Sequence, residues 1–598
     1  MSREHRHRPT ALLGEAVLLD DIGPPRRGRA YPTAGVASLL LLPAAVLLVS
    51  LVLWPVLRTV LASVTDENGW VGTAHFHAAL NAEGAWAVVG RTLLWAVVVP
   101  SIVTLLGYVL AAATRRAPGG RWVTLVLVAP IALPLVVTGV AFHLLYDPEP
   151  RRGTLTALVA AVFRLVGADP DAVPSWLGPR LITVALMSAF VWAWVGLAVL
   201  VFRAALDLVP TGLADAVRAH GGTRRDVFLD GTWRPLLRRT VAIVFALVAL
   251  ATARTFDLIL MMAPGSAVDD ASVLAVRVWQ TGGTTRGQSA ALGVVWLAAV
   301  ALGMLGAAWF SRQAWPPPEP ATRSPAPSAE RPRPGRLRRI VPPLAAVLWL
   351  IPLVVLIATS LHTRLDAAAS GWWSRAPSLD SYREELASSE LSRSLGLTAA
   401  LAAAVTAVVL VVALLAAYAL AWLAPPGAQV SGVLILASAV VPTQVVAGPI
   451  KEILDAVGLA GSVVGLGLVH VALGVPFAIL LLRNALADVP PRRVREARLA
   501  VRREWSVLWR LAPATVPAVV AVCVLEFVQV WNDFVVGLLF GGPDATPLGL
   551  LLYGQARQFV TAGGPLAAGS VIASALPLVL VVVFRRQVVA GLVSGSIR

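Results

Sequence analysis

Inside the apolar run 512–538, Glu526, Gln529 and Asp533 recur at i, i+3 and i+7, a spacing that sets all three on one face of a helix. Trp531 and Asn532 lie beside them. An indole flanked by carboxylates and amides suits a polyhydroxylated ligand, because the ring stacks on C–H surfaces while the polar groups bond hydroxyls. Ionisable side chains in apolar segments are costly and mark pathways; the competing reading is that they pair across helices. Arg254 and Asp257 hold the counterpart face earlier in the chain and can pair with each other or with Glu526. Gln444, in "VPTQVVAGP", is a further pathway candidate. His143 and His470 are single histidines in separate apolar runs. A metal site needs three or four converging ligands, so each is expected to make a satisfied hydrogen bond, and no metal site is expected. Cys523, the one cysteine, also sits in an apolar run, which excludes a disulfide framework. No nucleophile with a base and an orienting acid is visible, and covalent catalysis is not expected.

The elements that position these residues are long apolar helices. Of 598 residues 57% are hydrophobic and 14% charged, with mean hydropathy +0.77, whereas soluble domains carry about a quarter charged residues. Runs of roughly 18 or more apolar residues are long enough to cross a bilayer. They predict spans near 35–62, 89–113, 121–146, 180–204, 239–262 and 288–311, then 340–362, 395–423, 429–450, 461–483, 512–538 and 566–586. The expected fold is an all-α integral membrane protein of about twelve transmembrane helices in two pseudo-repeated six-helix halves, 34–311 and 340–598. A polar tail, 1–33, precedes them and does not fit a secretory signal. The Pro- and Arg-rich segment 312–339 reads as a solvated linker.

The net charge of +16 is concentrated in gaps between spans rather than on a soluble face, which argues against nucleic acid. Seven arginines fall in 203–239, seven in the linker and eight in 483–510, whereas 64–88 and 263–280 carry more acid than base. That asymmetry predicts cytoplasmic basic loops and both termini inside. The uncharged stretch 423–430 adds nothing to it.

Two of the basic gaps stand at matching places, after the fourth and before the fifth span of each half: "ADAVRAHGGTRRDVFLDGTWRPLLRR" (214–239) and "REARLAVRREWSVLWRLAP" (495–513). They resemble the E-A-A-x-x-D-G-A segment of ABC importer permeases. By position the first supplies Asp215, Ala216, Gly221, Gly222 and Phe228, and the second supplies Glu496 and Ala497, with Arg502 where the family has glycine. The resemblance continues through "LLPAAVLLVSLVLWPVLRTVLASVTD", "TFDLILMMAPG", "VPTQVVAGPIKEILDAVGLAGSVVGLGLVH", "EFVQVWNDFVVGLLF" and the terminal "VAGLVSGSIR". These look like the paired permease subunits of the maltose-type carbohydrate family, fused in one chain with the type I importer fold.

The resemblance implies a transport permease in the bacterial inner membrane that moves solute from an extracytoplasmic solute-binding protein by alternating access. It also implies that the loop residues above form coupling helices gripped by a cytoplasmic ATPase dimer. The chain carries no G-x-x-x-x-G-K-[ST] segment, and Lys451 in "AGPIKEIL" does not supply one. ATP and Mg are therefore expected on the separate ATPase, with no cofactor on this chain. Two alternatives stay open: a fused permease for iron, an amino acid or a polyamine, and a twelve-span gradient-driven carrier.

The first loop keeps the glycine but softens the acid; the second keeps the acid and loses the glycine. That asymmetry predicts that Gly221→Arg abolishes uptake while substitutions at Arg502 change it little. Uptake assays on the two sets of variants check this, and equal losses would refute it.

Overall fold

A computed structural model describes residues 33–115, 117, 119–207, 217, 219–223, 225–226, 237–312, 336–373, 376–423, 425, 427–501, 503–557 and 559–588. The long helices of the first half are α1 (Gly35–Ala62), α2 (Ala85–Arg115), α3 (Gly120–Val128), α4 (Leu135–Leu145), α5 (Ile182–Asp207), α6 (Arg238–Ala253), the short α7 (Asp257–Met262) and α8 (Arg286–Arg312). The second half contributes α9 (Arg336–Ser360), α10 (Ser389–Tyr418), α11 (Ala428–Val440), α12 (Thr443–Ala456), α13 (Val463–Ala487), α14 (Pro491–Ala500), α15 (Glu504–Trp531), the short α16 (Val535–Phe540), α17 (Leu548–Ala556) and α18 (Phe559–Val583).

Among the described residues, nine helices are long and apolar enough to cross a membrane, or up to eleven when each of two bent pairs counts as one span. Among the described residues the twelve expected spans are not all continuous, and the reason is local. The expected span 121–146 turns by 106° between Ala132 and Leu135, and the span 429–450 turns by 101° between Val440 and Thr443. Each bend carries a proline, Pro134 or Pro442, in extended backbone. Proline lacks the N–H that would continue the ladder, and it drives the preceding residue out of the helical region. The expected span 239–262 is likewise two pieces. Here α6 stops at Ala253, and α7 restarts at Asp257.

The apolar contacts cross the covalent boundary between halves. Ala37, Ala44, Leu48, Leu51 and Val52 of α1 are buried in one cluster with α10, α13 and α15 of the second half. Reciprocally, Val355 and Leu356 of α9 are buried in the cluster built mainly from α2, α4 and α5. Trp192 Nε1 of α5 donates to the Trp349 carbonyl of α9 at 2.8 Å, and Thr59 Oγ1 of α1 donates to the Val445 carbonyl of α12 at 3.0 Å. Lipid tails are as apolar as leucine, so these contacts gain little from the hydrophobic effect and depend on close packing and hydrogen bonds. The small residues fit that requirement. Ala402, Ala413, Ala416 and Ala417 of α10 are fully buried, and a Cβ added at Gly196 of α5 would overlap the backbone of Leu127.

Candidate functional site

The polar residues singled out by the sequence gather where the helices break. α6 ends at Ala253 with Arg254 as its C-cap, and α15 ends at Trp531 with Asn532 as its C-cap. Both side chains reach across to the other half. Arg254 Nη2 donates to the carbonyls of Ala439 and Val441, each at 2.8 Å, at the bend between α11 and α12. Asn532 Nδ2 donates to the Ala132 carbonyl at 3.1 Å, at the bend between α3 and α4. Arg254 is thus held by backbone oxygens, not by the Asp257 or Glu526 carboxylate that the sequence offered as partners. A cation on the last carbonyls of a helix is favourable for the same reason that the broken end needs it: those oxygens have no intrahelical donor.

After each break the chain passes through a buried aromatic residue, Phe256 or Phe534, and starts a short helix. The two rings lie 6.4 Å apart between centroids, and Phe534 also packs on Tyr553 at 4.9 Å. Asp533 accepts hydrogen bonds from the backbone N–H of Val536 at 2.9 Å and Gly537 at 3.2 Å, so its carboxylate caps α16. The same carboxylate interacts electrostatically with Asp257, across the halves, and lies 3.9 Å from His470 Nε2 of α13. His470 had no assigned partner in the sequence because nothing in its spacing connects it to residue 533.

The helical face 526–533 is divided by the structure. Glu526 is 3% exposed and lies against Gly474 of α13, where an added Cβ would overlap its Oε1. Gln529 is exposed. Trp531 is buried, stacks on Phe527 at 5.8 Å and donates from Nε1 to the Ala573 carbonyl at 2.9 Å. Gln444 is 7% exposed and lines a cavity of about 530 Å³ between α1, α8 and α12, beside Thr59, Trp279, Arg286 and Lys451. Asp257, Asp533 and Asn532 are therefore brought together at the junction of the halves, while Gln444 lines a separate cavity.

At the second basic gap, α14 is a separate surface helix. Val494 and Ala497 are buried and anchor it, while Glu496 is exposed. Arg498 Nε sits 3.4 Å from Glu504 Oε1, and Glu504 also accepts from Tyr418. Arg502 lies outside the described residues, as do Asp215, Ala216 and Phe228 of the first gap. Gly221 there has φ +80, a conformation glycine adopts without strain, and the Gly222 N–H closes a turn onto the Val217 carbonyl at 3.0 Å. The Thr223 N–H and hydroxyl then donate to Asp226 at 2.8 and 2.7 Å. These bonds, led by the Thr223 hydroxyl, hold the Asp226 carboxyl below its ordinary pKa. Threonine followed three residues on by an acid is a helix-starting signal.

No protein-family model matches the chain. It is similar to the osmoprotective compounds uptake permease protein GgtD of Synechocystis sp., 30% identical over 268 residues, which cover 42% of this chain and 89% of that protein. It is also similar to two permease proteins of the alpha-glucoside transport system of Rhizobium meliloti. AglG is 30% identical over 230 residues, covering 37% of this chain and 60% of that one. AglF is 26% identical over 261 residues, covering 43% and 76%.

The reciprocal clasp predicts the effect of removing either donor. Arg254→Met and Asn532→Leu each leave buried carbonyls unpaired, a loss of about 1–3 kcal/mol. Thermal unfolding of the detergent-solubilised chain should show a lower midpoint for each; unchanged midpoints in both would mean that the clasp carries no stability.

Proposed function

The chain belongs to the permeases of ABC importers, with both permease halves in one multi-pass inner-membrane polypeptide, and on that premise we propose that it imports a carbohydrate of the glucoside or oligosaccharide class. A permease of this kind performs no covalent chemistry. It works with a separate ABC ATPase, which binds ATP and Mg, and with an extracytoplasmic solute-binding protein.

The observation that carries the reading is the pairing of broken spans at the junction of the halves. Asp257 adjoins Phe256 and Asp533 adjoins Phe534, whose rings meet across the halves, and in this reading these carboxylates and Asn532 accept from and donate to sugar hydroxyls when the junction opens. Relatives named for glucoside transport support the substrate class. In the mechanism we infer, the ATPase dimer closes on ATP and pushes on the two loops. The loop around Asp215, Ala216, Gly221, Gly222 and Phe228 receives that motion in the first half. In the second half, α14 receives it through Glu496 and the buried Ala497, followed by Arg502. Each loop leads directly into a fifth span, and each fifth span ends in a residue that holds the bend of the opposite half. Motion at one loop therefore reaches both halves, and the cavity between them switches from inward- to outward-facing. The basic loops and both termini lie on the cytoplasmic side in this reading.

Asp533 has a structural role as a helix cap, and a substitution separates it from a role on the pathway. Asparagine keeps an acceptor oxygen for Val536 and Gly537, so Asp533→Asn should fold with an unchanged unfolding midpoint yet lose solute uptake. Asp533→Ala should lose both, with the cap worth about 1 kcal/mol. An Asp533→Asn variant with normal uptake would confine the residue to capping. For the system as a whole, affinity purification of the tagged chain in mild detergent should recover a P-loop ATPase at two copies per chain. A chain that purifies alone and transports in liposomes without ATP would instead identify a gradient-driven carrier.

A further inference from the structure

Three helix ends meet at an open groove of about 780 Å³ that no part of the transport mechanism uses: the start of α3, the end of α5 and the segment just after α18. Its rim holds Arg121, Arg203, Arg585 and Arg586. Its wall is apolar, formed by Leu125, Val128, Leu200 and Val581 on the same helices.

The arginines are prepared for an anion rather than neutralised by the protein. Arg203 Nη1 donates to the Gly120 carbonyl at 3.0 Å and to Thr124 Oγ1 at 2.6 Å, which fixes its guanidinium at the groove. Arg121 lies 5.6 Å from the centroid of the Trp122 ring, and Trp122 is itself exposed. The one acid on the rim, Asp207, is engaged by Arg115 at 2.8 Å. Among the described residues no carboxylate is within ion-pair distance of Arg121, Arg203, Arg585 or Arg586.

We propose that this groove binds the headgroup of one anionic phospholipid, with its acyl chains against Leu125, Leu200 and Val581. A guanidinium presents a planar fork that matches phosphate oxygens, and basic pockets between membrane helices near the headgroup level select acidic lipids. A soluble anion would use the arginines but leave the apolar wall without a partner. General loop charge does not explain the groove either. In the second half the corresponding segment 423–430 has no charged residue, so Arg121 has no counterpart there. The groove joins the halves, since α3 and α5 belong to the first and α18 to the second.

The test uses the full chain in nanodiscs of equal phosphatidylglycerol and phosphatidylethanolamine, with lipids retained after gentle delipidation counted by native mass spectrometry. One phosphatidylglycerol per chain should be retained. The triple variant Arg121→Gln, Arg585→Gln, Arg586→Gln should weaken retention by at least about tenfold. The Arg→Lys triple, which keeps the charge without the planar fork, should retain less lipid than the unmodified chain but more than the glutamine triple, which separates charge from misfolding. Retention no better than in the glutamine triple would overturn the charge-based reading. A control variant with Arg492, Arg493 and Arg495 changed to glutamine should retain the lipid as the unmodified chain does. Equal retention of the two lipids, or equal loss in the control variant, would overturn the proposal. Full displacement by millimolar inorganic phosphate would also overturn it, in favour of a soluble-anion site.

Discussion

A helix that stops inside a bilayer leaves carbonyls with no water to donate to them, and the molecule is organised around meeting that constraint. The bends at Pro134 and Pro442 each expose the end of a helix. The donors that satisfy them come from the opposite half: Arg254 for Ala439 and Val441, and Asn532 for Ala132. Because the donors sit at breaks of their own spans, each interruption is stabilised by another. The arrangement is reciprocal but chemically unequal, with a guanidinium on one side and an amide on the other. The Arg254 clasp carries a full charge and two bonds to backbone oxygen, so it is the stronger of the two.

The first helix of each half reinforces that interdependence. α1 contributes to the apolar cluster of the second half, and α9 to that of the first. Neither half could keep its observed packing after removal of the other, since each would expose the surface that the exchanged helix covers. For a machine that must rock two halves against one another, exchange of this kind limits the relative motion to rotations that keep α1 and α9 seated. The exchanged helices bury leucine and valine, Leu48, Leu51 and Val52 of α1 and Val355 and Leu356 of α9, while alanines such as Ala402, Ala413 and Ala416 of α10 let the neighbouring backbones approach closely.

Chemical asymmetry runs through the whole chain. The first basic loop is shaped by glycine, with Gly221 in a left-handed conformation, and the second by a preformed helix anchored through Val494 and Ala497. The groove at the ends of α3, α5 and α18 gathers four arginines, Arg121, Arg203, Arg585 and Arg586. A duplicated architecture that is fused in one polypeptide is free to let its two copies diverge, because each is always present in a one-to-one ratio with the other.

Much of this was legible in the sequence because it depends on local chemistry. Apolar runs, the arginine gaps and the matched interruptions at 214–239 and 495–513 follow from composition and spacing. So does the concentration of polar residues near 526–533. Apolar length alone predicts continuous spans at 121–146 and 429–450; the prolines at 134 and 442 are the sequence signal for the breaks there. Other features have no signal along the chain. Backbone carbonyls at Ala132, Ala439 and Val441 are identical in sequence to any others; only packing makes them acceptors for Arg254 and Asn532. The approach of His470 to Asp533 at 3.9 Å, and the electrostatic influence of Asp257 on the same carboxyl across 276 residues, arise from which helices meet at the junction. The sequence by itself determined that the chain lies in a membrane, where its charges gather and which residues are too polar to be idle there. Tertiary structure alone decided which half each helix packs on and which polar groups meet, because in lipid those choices rest on close fit and hydrogen bonding rather than on hydrophobicity.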